Sequence, residues 1–349
     1  MKITRRQFVQ VMAVAGASAL LTACGGSSGS TAGSGAAAAT GGSFNLKLGH
    51  NLAEDHAVHI QLTSFAEQVK EKTSGSINIQ IIPNGTLGSE ADMISQIQAG
   101  ALDMAKVSAS TLGNFSEKYN AFSVPYVFND QAHYYSYMDS DSAKAVFEST
   151  DDQGFRGLTW LDSGARSFYT KATAIRTPAD LKGLKIRVQD MKSQTDMMNY
   201  LGGIPVAMSY GDVYTSLQTG IIDGTENNET ALTTGKHGEV CKVYSVDQHA
   251  MIPDVLIMSE KVWKQISPED QEIILEAAHN STEAHKVMWD TAIEEAVKEA
   301  QETMGVEFVY DVDKEAFREA TQPMIEAYEE QYPGVKTLMD TIEAAREGE

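Results

Sequence analysis

The sequence predicts an α/β body of two lobes, with mostly parallel sheets and one long helix spanning both. Three observations predict it. Strand and helix patterns alternate from Phe44 onward, a short signature recurs about 120 residues after its first occurrence, and a helix-compatible run extends from Ser267 to about Met304.

Phe44, Leu46 and Leu48 alternate with polar residues, as in a strand. Val58, Leu62, Phe65, Ala66 and Val69 recur at helical spacing until Thr73-Ser74-Gly75 stops the helix. Ile77, Ile79 and Ile81 form the next strand before Pro83-Asn84-Gly85. Strand, helix, strand is the unit of a parallel sheet with helices on its faces.

Gln98-Ala99-Gly100-Ala101-Leu102-Asp103 closes one helix and leads into an apolar strand, and Gln218-Thr219-Gly220-Ile221-Ile222-Asp223 does the same. In each, Gly can supply a left-handed cap before the chain turns into the sheet. A match this short also arises by chance; the reading taken is two lobes with related units. Further on, Ser267 suits an N-cap, Pro268 the first helical position, and Glu269 and Asp270 the positive end of the dipole. The run spans roughly 55 Å at 1.5 Å per residue. It reads as one helix crossing both lobes, or as two helices broken near Asn280-Ser281.

The N-terminus is of another kind. Lys2, Arg5 and Arg6 precede an apolar stretch, Val9 to Leu21, too short for a permanent membrane span, which is the pattern of a cleaved export signal. Thr4-Arg5-Arg6-Gln7-Phe8 resembles a twin-arginine signal, although an ordinary secretory basic region accounts for the same residues. Leu21-Thr22-Ala23-Cys24 resembles a bacterial lipobox, which makes Cys24 the expected lipidation site. Gly25 to Gly42, almost wholly Gly, Ser, Ala and Thr, buries too little apolar surface to fold and reads as a tether.

The formal net charge is −21, and removing Lys2, Arg5 and Arg6 with residues 1–23 brings it to −24. Such acidity argues against a nucleic-acid partner, whose phosphates need a basic footprint. With Cys24 lipidated, Cys241 is the one thiol left, so neither an internal disulfide nor a Cys-based metal site is expected, and Cys241 reads as a small core residue. About 300 residues of body allow one or two domains.

The eight histidines include His56 and His59, which can share a helix face, but no Asp or Cys stands at a spacing that completes a zinc site. From Phe44 on there is no His-Glu-x-x-His, Gly-x-Ser-x-Gly or Gly-Lys-Ser/Thr. Neither enzyme, metal nor cofactor is therefore expected. Two arginines draw the eye instead. Leu184, Ile186 and Val188 alternate onto one face, so Arg187 points the other way near a strand's carboxyl end, where open α/β sheets place ligands. Arg166 follows the Gly164-Ala165 break. Arginine holds a carboxylate through two parallel charge-assisted bonds, although a lone Arg more often makes a surface ion pair.

Asp180 to Val188 (Asp-Leu-Lys-Gly-Leu-Lys-Ile-Arg-Val), Tyr210 to Gly220, and Ile222-Asp223-Gly224-Thr225-Glu226-Asn227-Asn228 together resemble the substrate-binding proteins of tripartite ATP-independent periplasmic (TRAP) transporters, the DctP-like family. Leu48 to Asn51, Pro83 to Gly88 and Val124 to Phe128 are similar to the same family, so the resemblance runs from Phe44 to the C-terminus.

The resemblance implies a periplasmic-binding-protein architecture of two lobes, joined by crossing strands and the long helix, that closes over a ligand. Arg187 matches the arginine that pairs with the substrate carboxylate, Arg166 a second arginine at the site, and Asn227 the asparagine that orients the carboxylate. Tyr210 falls where the family has a pocket aromatic, Asn51 and Glu90 where the first lobe gives polar contacts, and His249 where a histidine can reach; Ser108 is a weaker match. Glu90, Asn228, His50 and His249 favour a hydroxylated acid such as a uronate over a C4-dicarboxylate, while Asp190 stands near enough to compete for Arg187. The expected division is 1–23 export signal, 24–43 lipid-anchored tether, 44–163 with 251–290 one lobe, and 164–250 with 291–349 the other. The partners implied are a small organic or sugar acid, the small and large TRAP membrane subunits, and the membrane through the lipid, outside the cytoplasm. A binding lipoprotein of an ATP-driven (ABC) transporter or a sensor, or an extracytoplasmic enzyme acting on a sugar acid, are the rival readings.

Overall fold

The first strand–helix–strand unit forms as its pattern dictates. The alternation at Phe44–Gly49 (β1) and Ile77–Ile82 (β2) builds two parallel strands in register from Phe44 opposite Ile77 to Gly49 opposite Ile82. The helix Ala57–Lys72 connects them and buries Val58, Leu62, Phe65 and Val69. The computed structural model describes residues 43–346; the expected export segment, Cys24 and the tether up to Gly42 lie outside them.

The remaining strands are Met104–Ser108 (β3), Phe155–Leu161 (β4), Ala165–Thr170 (β5), Lys185–Val188 (β6), Ile204–Ala207 (β7), Gly224–Asn227 (β8), Val243–Met251 (β9), Asp254–Ser259 (β10) and Glu307–Val309 (β11). They form two sheets, ordered β2-β1-β3-β10-β4 and β11-β9-β5-β8-β6-β7, within one compact unit. Each sheet is parallel except for one strand. β10 runs against β3 and β4, and β5 runs against β8 and β9.

The physical reason is a double crossing. The chain leaves the first sheet at the end of β4 and enters the second as β5, then leaves the second at the end of β9 and re-enters the first as β10. A strand that arrives from the opposite sheet begins at the cleft, where its neighbours end. Carboxyl ends of parallel strands and the first residues of β5 and β10 thus converge on one place.

The recurring signature is a structural repeat. Gly100 and Gly220 both take the left-handed conformation (φ 75° and 77°) and cap their helices. The following residue donates back in each case, Ala101 N to Gln96 O at 2.8 Å and Ile221 N to Ser216 O at 3.0 Å. Asp103 accepts from Lys47 N, and Asp223 from Lys185 N, both at 2.8 Å, so each Asp pins the backbone at a strand of its own sheet.

Pro268–Glu302 is one unbroken helix of 35 residues, capped where Ser267 Oγ accepts from Asp270 N. At Asn280-Ser281, where a break was conceivable, the polar side chains bond to other elements. Ser281 Oγ donates to Gln61 O at 3.1 Å and Thr282 Oγ1 to Trp160 O at 2.6 Å. Ile274, Ala277 and Ala278 pack in the first sheet's core, and Ala300 packs with Tyr169, Val213 and Leu232 under the second. Cys241 is a free, buried member of that second core.

One segment departs from the expected division, which gives 291–349 to the second lobe. The last helix, Pro333–Arg346, buries Val335 and Ile342 among Tyr119, Phe122 and Tyr137 of the first sheet's core, and Ile342 O bonds His133 Nε2 at 2.7 Å. The preceding helix, Lys314–Gln331, keeps Phe317 and Met324 under the second sheet. An amphipathic helix follows its apolar stripe, and sequence order did not reveal which core would accept it. No helix of the described residues is long and apolar enough to cross a membrane.

Candidate functional site

The converging strand ends enclose a cavity of about 450 Å³ lined from both sheets. Of the residues singled out from sequence, Arg187, Arg166, Asn227, Asn228, Tyr210, Glu90, Asn51 and Ser108 line it; His50 and His249 do not.

Arg187 sits on β6 with its neighbours Ile186 and Val188 in the core, and is itself 3 % exposed. Its Nε and Nη2 both donate to Met208 O, at 3.0 and 2.9 Å. Among the described residues no carboxylate pairs with it. Asp190, the expected competitor, lines the cavity but is exposed, and its carboxylate makes no ion pair with Arg187; its backbone carbonyl accepts from Asn114 Nδ2 at 2.9 Å. Burial lowers the pKa of the Arg187 guanidinium, Glu226 partly opposes this, and Arg166 adds to the fall. A buried cation without a counter-ion is costly, and an anion in the cavity would relieve that cost.

Arg166 is in the opposite condition. Its Nε donates to Glu226 Oε2 at 2.5 Å, Nη2 to Glu226 Oε1 and to the Glu226 carbonyl at 2.9 Å each, and Nη1 to Asn227 Oδ1 at 2.8 Å. Burial would raise the Glu226 pKa, but Arg166 and His249 bring it down to about 2. Sequence reasoning missed Glu226 as the partner. Its signal was an acid within the short strand Gly224–Asn227, which in a sheet interior demands a cation.

His249 lies behind this pair. Its Nδ1 meets Asp247 Oδ2 at 2.7 Å and its Nε2 stands 3.4 Å from Glu226 Oε2. Burial lowers its pKa, yet Asp247 and Glu226 outweigh burial and raise it to about 9. His50 is likewise turned from the cavity: Nε2 bonds His59 Nδ1 at 2.9 Å, and Nδ1 accepts from Leu52 N at 3.2 Å. Burial, with Lys106 and His59 nearby, holds it near pKa 3. Strand periodicity cannot reveal that these rings face their neighbours and not the cavity.

Asn227 Oδ1 accepts from Arg166 and from Asn228 N, leaving Nδ2 without a partner among the described residues. The Asn228 amide is committed: Nδ2 donates to Ser163 O at 2.7 Å, and Oδ1 accepts from Thr230 N and Oγ1. It ties the β4–β5 crossing to the segment after β8. Tyr210 is kept a neutral phenol by burial.

The first sheet contributes a second charged cluster. Glu90 opens the helix Glu90–Ala99 behind a Ser89/Asp92 capping box. Its Oε1 accepts from Lys106 Nζ at 3.2 Å, and its Oε2 from Ser108 N and Thr111 Oγ1 at 3.1 and 2.9 Å. Lys106 also pairs with Asp254 Oδ2 at 3.0 Å. Sequence reasoning missed Lys106 and Asp254; the available signals were a Lys within Met104-Ala-Lys-Val-Ser108 and an Asp at the start of an apolar strand. Ser108 Oγ accepts from Gln189 Nε2 at 3.0 Å, a hydrogen bond across the cleft. Among the described residues no group of three or more His, Cys, Asp or Glu is arranged to hold a metal ion.

Residues 48–331 match the model of the DctP family, described as bacterial extracellular solute-binding protein, family 7. The chain is 42 % identical over 283 residues to the uncharacterized protein YiiZ of Salmonella typhimurium, covering 81 % of this chain and 86 % of that one. Among solved structures it is similar to a TRAP periplasmic solute-binding protein from Anaerococcus prevotii with bound α/β-D-glucuronate, at TM-score 0.84 and 39 % identity, covering 87 % of this chain and 98 % of that one. It is similar also to one from Sulfitobacter sp. NAS-14.1 with bound β-D-galacturonate, at TM-score 0.82 and 34 % identity, covering 85 % and 98 %.

Proposed function

Because the chain belongs to the bacterial extracellular solute-binding protein family 7, a family of receptors and not an enzyme class, we propose that it captures a sugar acid, a hexuronate foremost, for a TRAP transporter. The observation that carries this reading is Arg187, buried, lining the cavity and paired with no carboxylate among the described residues. A ligand carboxylate supplies the missing negative charge through a forked pair. Asn227 Nδ2 adds a donor, and Arg166, neutralised by Glu226, braces Asn227 in place. The bound uronates of the related structures support the ligand class.

Contacts from both sheets favour the closed arrangement, and the crossings β4–β5 and β9–β10 take up the rotation. Lipid on Cys24, with residues 25–42 as a leash, would keep the receptor at the outer face of the membrane beside the two membrane subunits. That part of the proposal rests on the lipobox-like Leu21-Thr22-Ala23-Cys24. A dissociation constant near micromolar, about −8 kcal/mol, suits a scavenging receptor.

A thermal-shift screen of uronates, aldonates, C4-dicarboxylates and keto acids tests the reading, since ligand at 1,000 times its Kd adds about 4 kcal/mol to native stability. D-glucuronate or D-galacturonate should give the largest shift. A response confined to succinate and fumarate would make the protein a dicarboxylate receptor, and conversion of a uronate to product would make it an enzyme.

A further inference from the structure

The two walls of the cavity differ in charge. On the second sheet, Glu226 neutralises Arg166, and the buried guanidinium of Arg187 is paired with no carboxylate among the described residues. On the first sheet one ammonium, Lys106, stands between two carboxylates, Glu90 at 3.2 Å and Asp254 at 3.0 Å. Lys106 is 2 % exposed and Asp254 5 %, so solvent screens this cluster little. Burial penalises the Lys106 ammonium, but Asp254 and Glu90 more than compensate and keep it charged. Burial raises Asp254 above the ordinary carboxylate value, Lys106 opposes this, and Glu90 adds to it. This cluster therefore bears one surplus carboxylate, and its negative charge is already disfavoured by burial.

Its free hydrogen-bonding capacity points the same way. Lys106 Nζ has three donors and spends two on the carboxylates. Asn51 Oδ1 on this wall, and Gln189 Oε1 reaching across from the second sheet, are buried acceptors without a partner among the described residues. A ligand group here must chiefly donate and carry no negative charge. Hydroxyls do so. A second carboxylate brings only acceptors and a like charge into a poorly screened site.

We propose that Glu90, Lys106 and Asp254 form a charge filter that holds the neutral hydroxyls of a carboxylate ligand and turns away an anionic group at that end. The inference rests on the sugar-acid reading above and deepens it: the carboxylate goes to Arg187, and selection against dicarboxylates happens at the opposite wall.

Calorimetric titration of the wild type, Asp254→Asn and Glu90→Gln with D-galacturonate, D-glucuronate and succinate tests it, with a ligand-free melting curve for each to verify folding. Each variant removes the surplus negative charge from a different side of Lys106, so a folding defect in one leaves the other to decide. The expected result is a fall of about tenfold or more in the galacturonate-to-succinate affinity ratio, with succinate binding tighter than to wild type. An unchanged ratio, or parallel weakening of every ligand, overturns the filter and leaves the grip of Arg187 standing. A wild type that binds neither uronate overturns the ligand class and the filter together.

Discussion

Arg166 and Glu226 form a buried two-pronged ion pair, Nε to Oε2 at 2.5 Å and Nη2 to Oε1 at 2.9 Å, while Arg187 nearby has a backbone carbonyl as its acceptor and, among the described residues, no carboxylate. Two arginines that look alike in the sequence thus have different work. One ties β5 to β8 at the cavity wall; the other is available to a ligand.

Substitution should separate the two. Arg187→Ala removes an uncompensated buried cation, so its ligand-free melting temperature should move by no more than about 3 °C. Its uronate binding should fall beyond the range of calorimetry. Retained affinity in this variant would falsify the assignment of the carboxylate site.

Arg166→Ala should instead destabilise the ligand-free protein by about 3–5 kcal/mol, because it strands the Glu226 carboxylate in the interior. Denaturant unfolding measures this directly. A loss under 1 kcal/mol, on the scale of an exposed pair, would mean that the ion pair is not structural.

Stability should peak near pH 6.5 and fall on both sides. His249 is raised to about 9, against burial, by Asp247 and Glu226, so its contribution is complete below 6.5 and is lost as pH rises through 9. The size is on the order of 3 kcal/mol. His50, His56 and His237 are held near 3 and His285 near 4, with burial the first cause in each, so their contribution is present above 6.5 and lost as pH falls toward 3. Unfolding free energies from pH 4 to 9.5 trace both limbs. His249→Gln should flatten the alkaline limb alone; an alkaline limb as steep as the wild type's would remove His249 from the account.

Gly164, between β4 and β5, has φ 68°, and a Cβ there would stand 3.1 Å from Asn228 Cβ and 3.3 Å from Trp289. Gly164→Ala should cost about 1–2 kcal/mol from the left-handed backbone. Because the strain falls on a crossing strand, small-angle scattering with and without uronate should also show a reduced ligand-induced contraction. Full contraction at wild-type affinity would place the hinge elsewhere.

Local chemistry written along the chain was legible without coordinates. Alternation at Phe44, Leu46 and Leu48, the left-handed caps at Gly100 and Gly220, the Ser267-Pro268 start of the long helix and the place of Arg187 near the carboxyl end of β6 each depend on residues a few positions apart. Pairings across the sheets were decided only in three dimensions. Lys106 meets Asp254 from 148 positions away and Arg166 meets Glu226 from 60, as double crossing brings strand ends together. The same convergence turned His50 and His249 away from the cavity, and contact with Tyr119, Phe122 and Tyr137 set Pro333–Arg346 in the first sheet's core. Charge and apolarity state what each side chain requires; only packing chooses, among many chemically equivalent candidates, the one that supplies it.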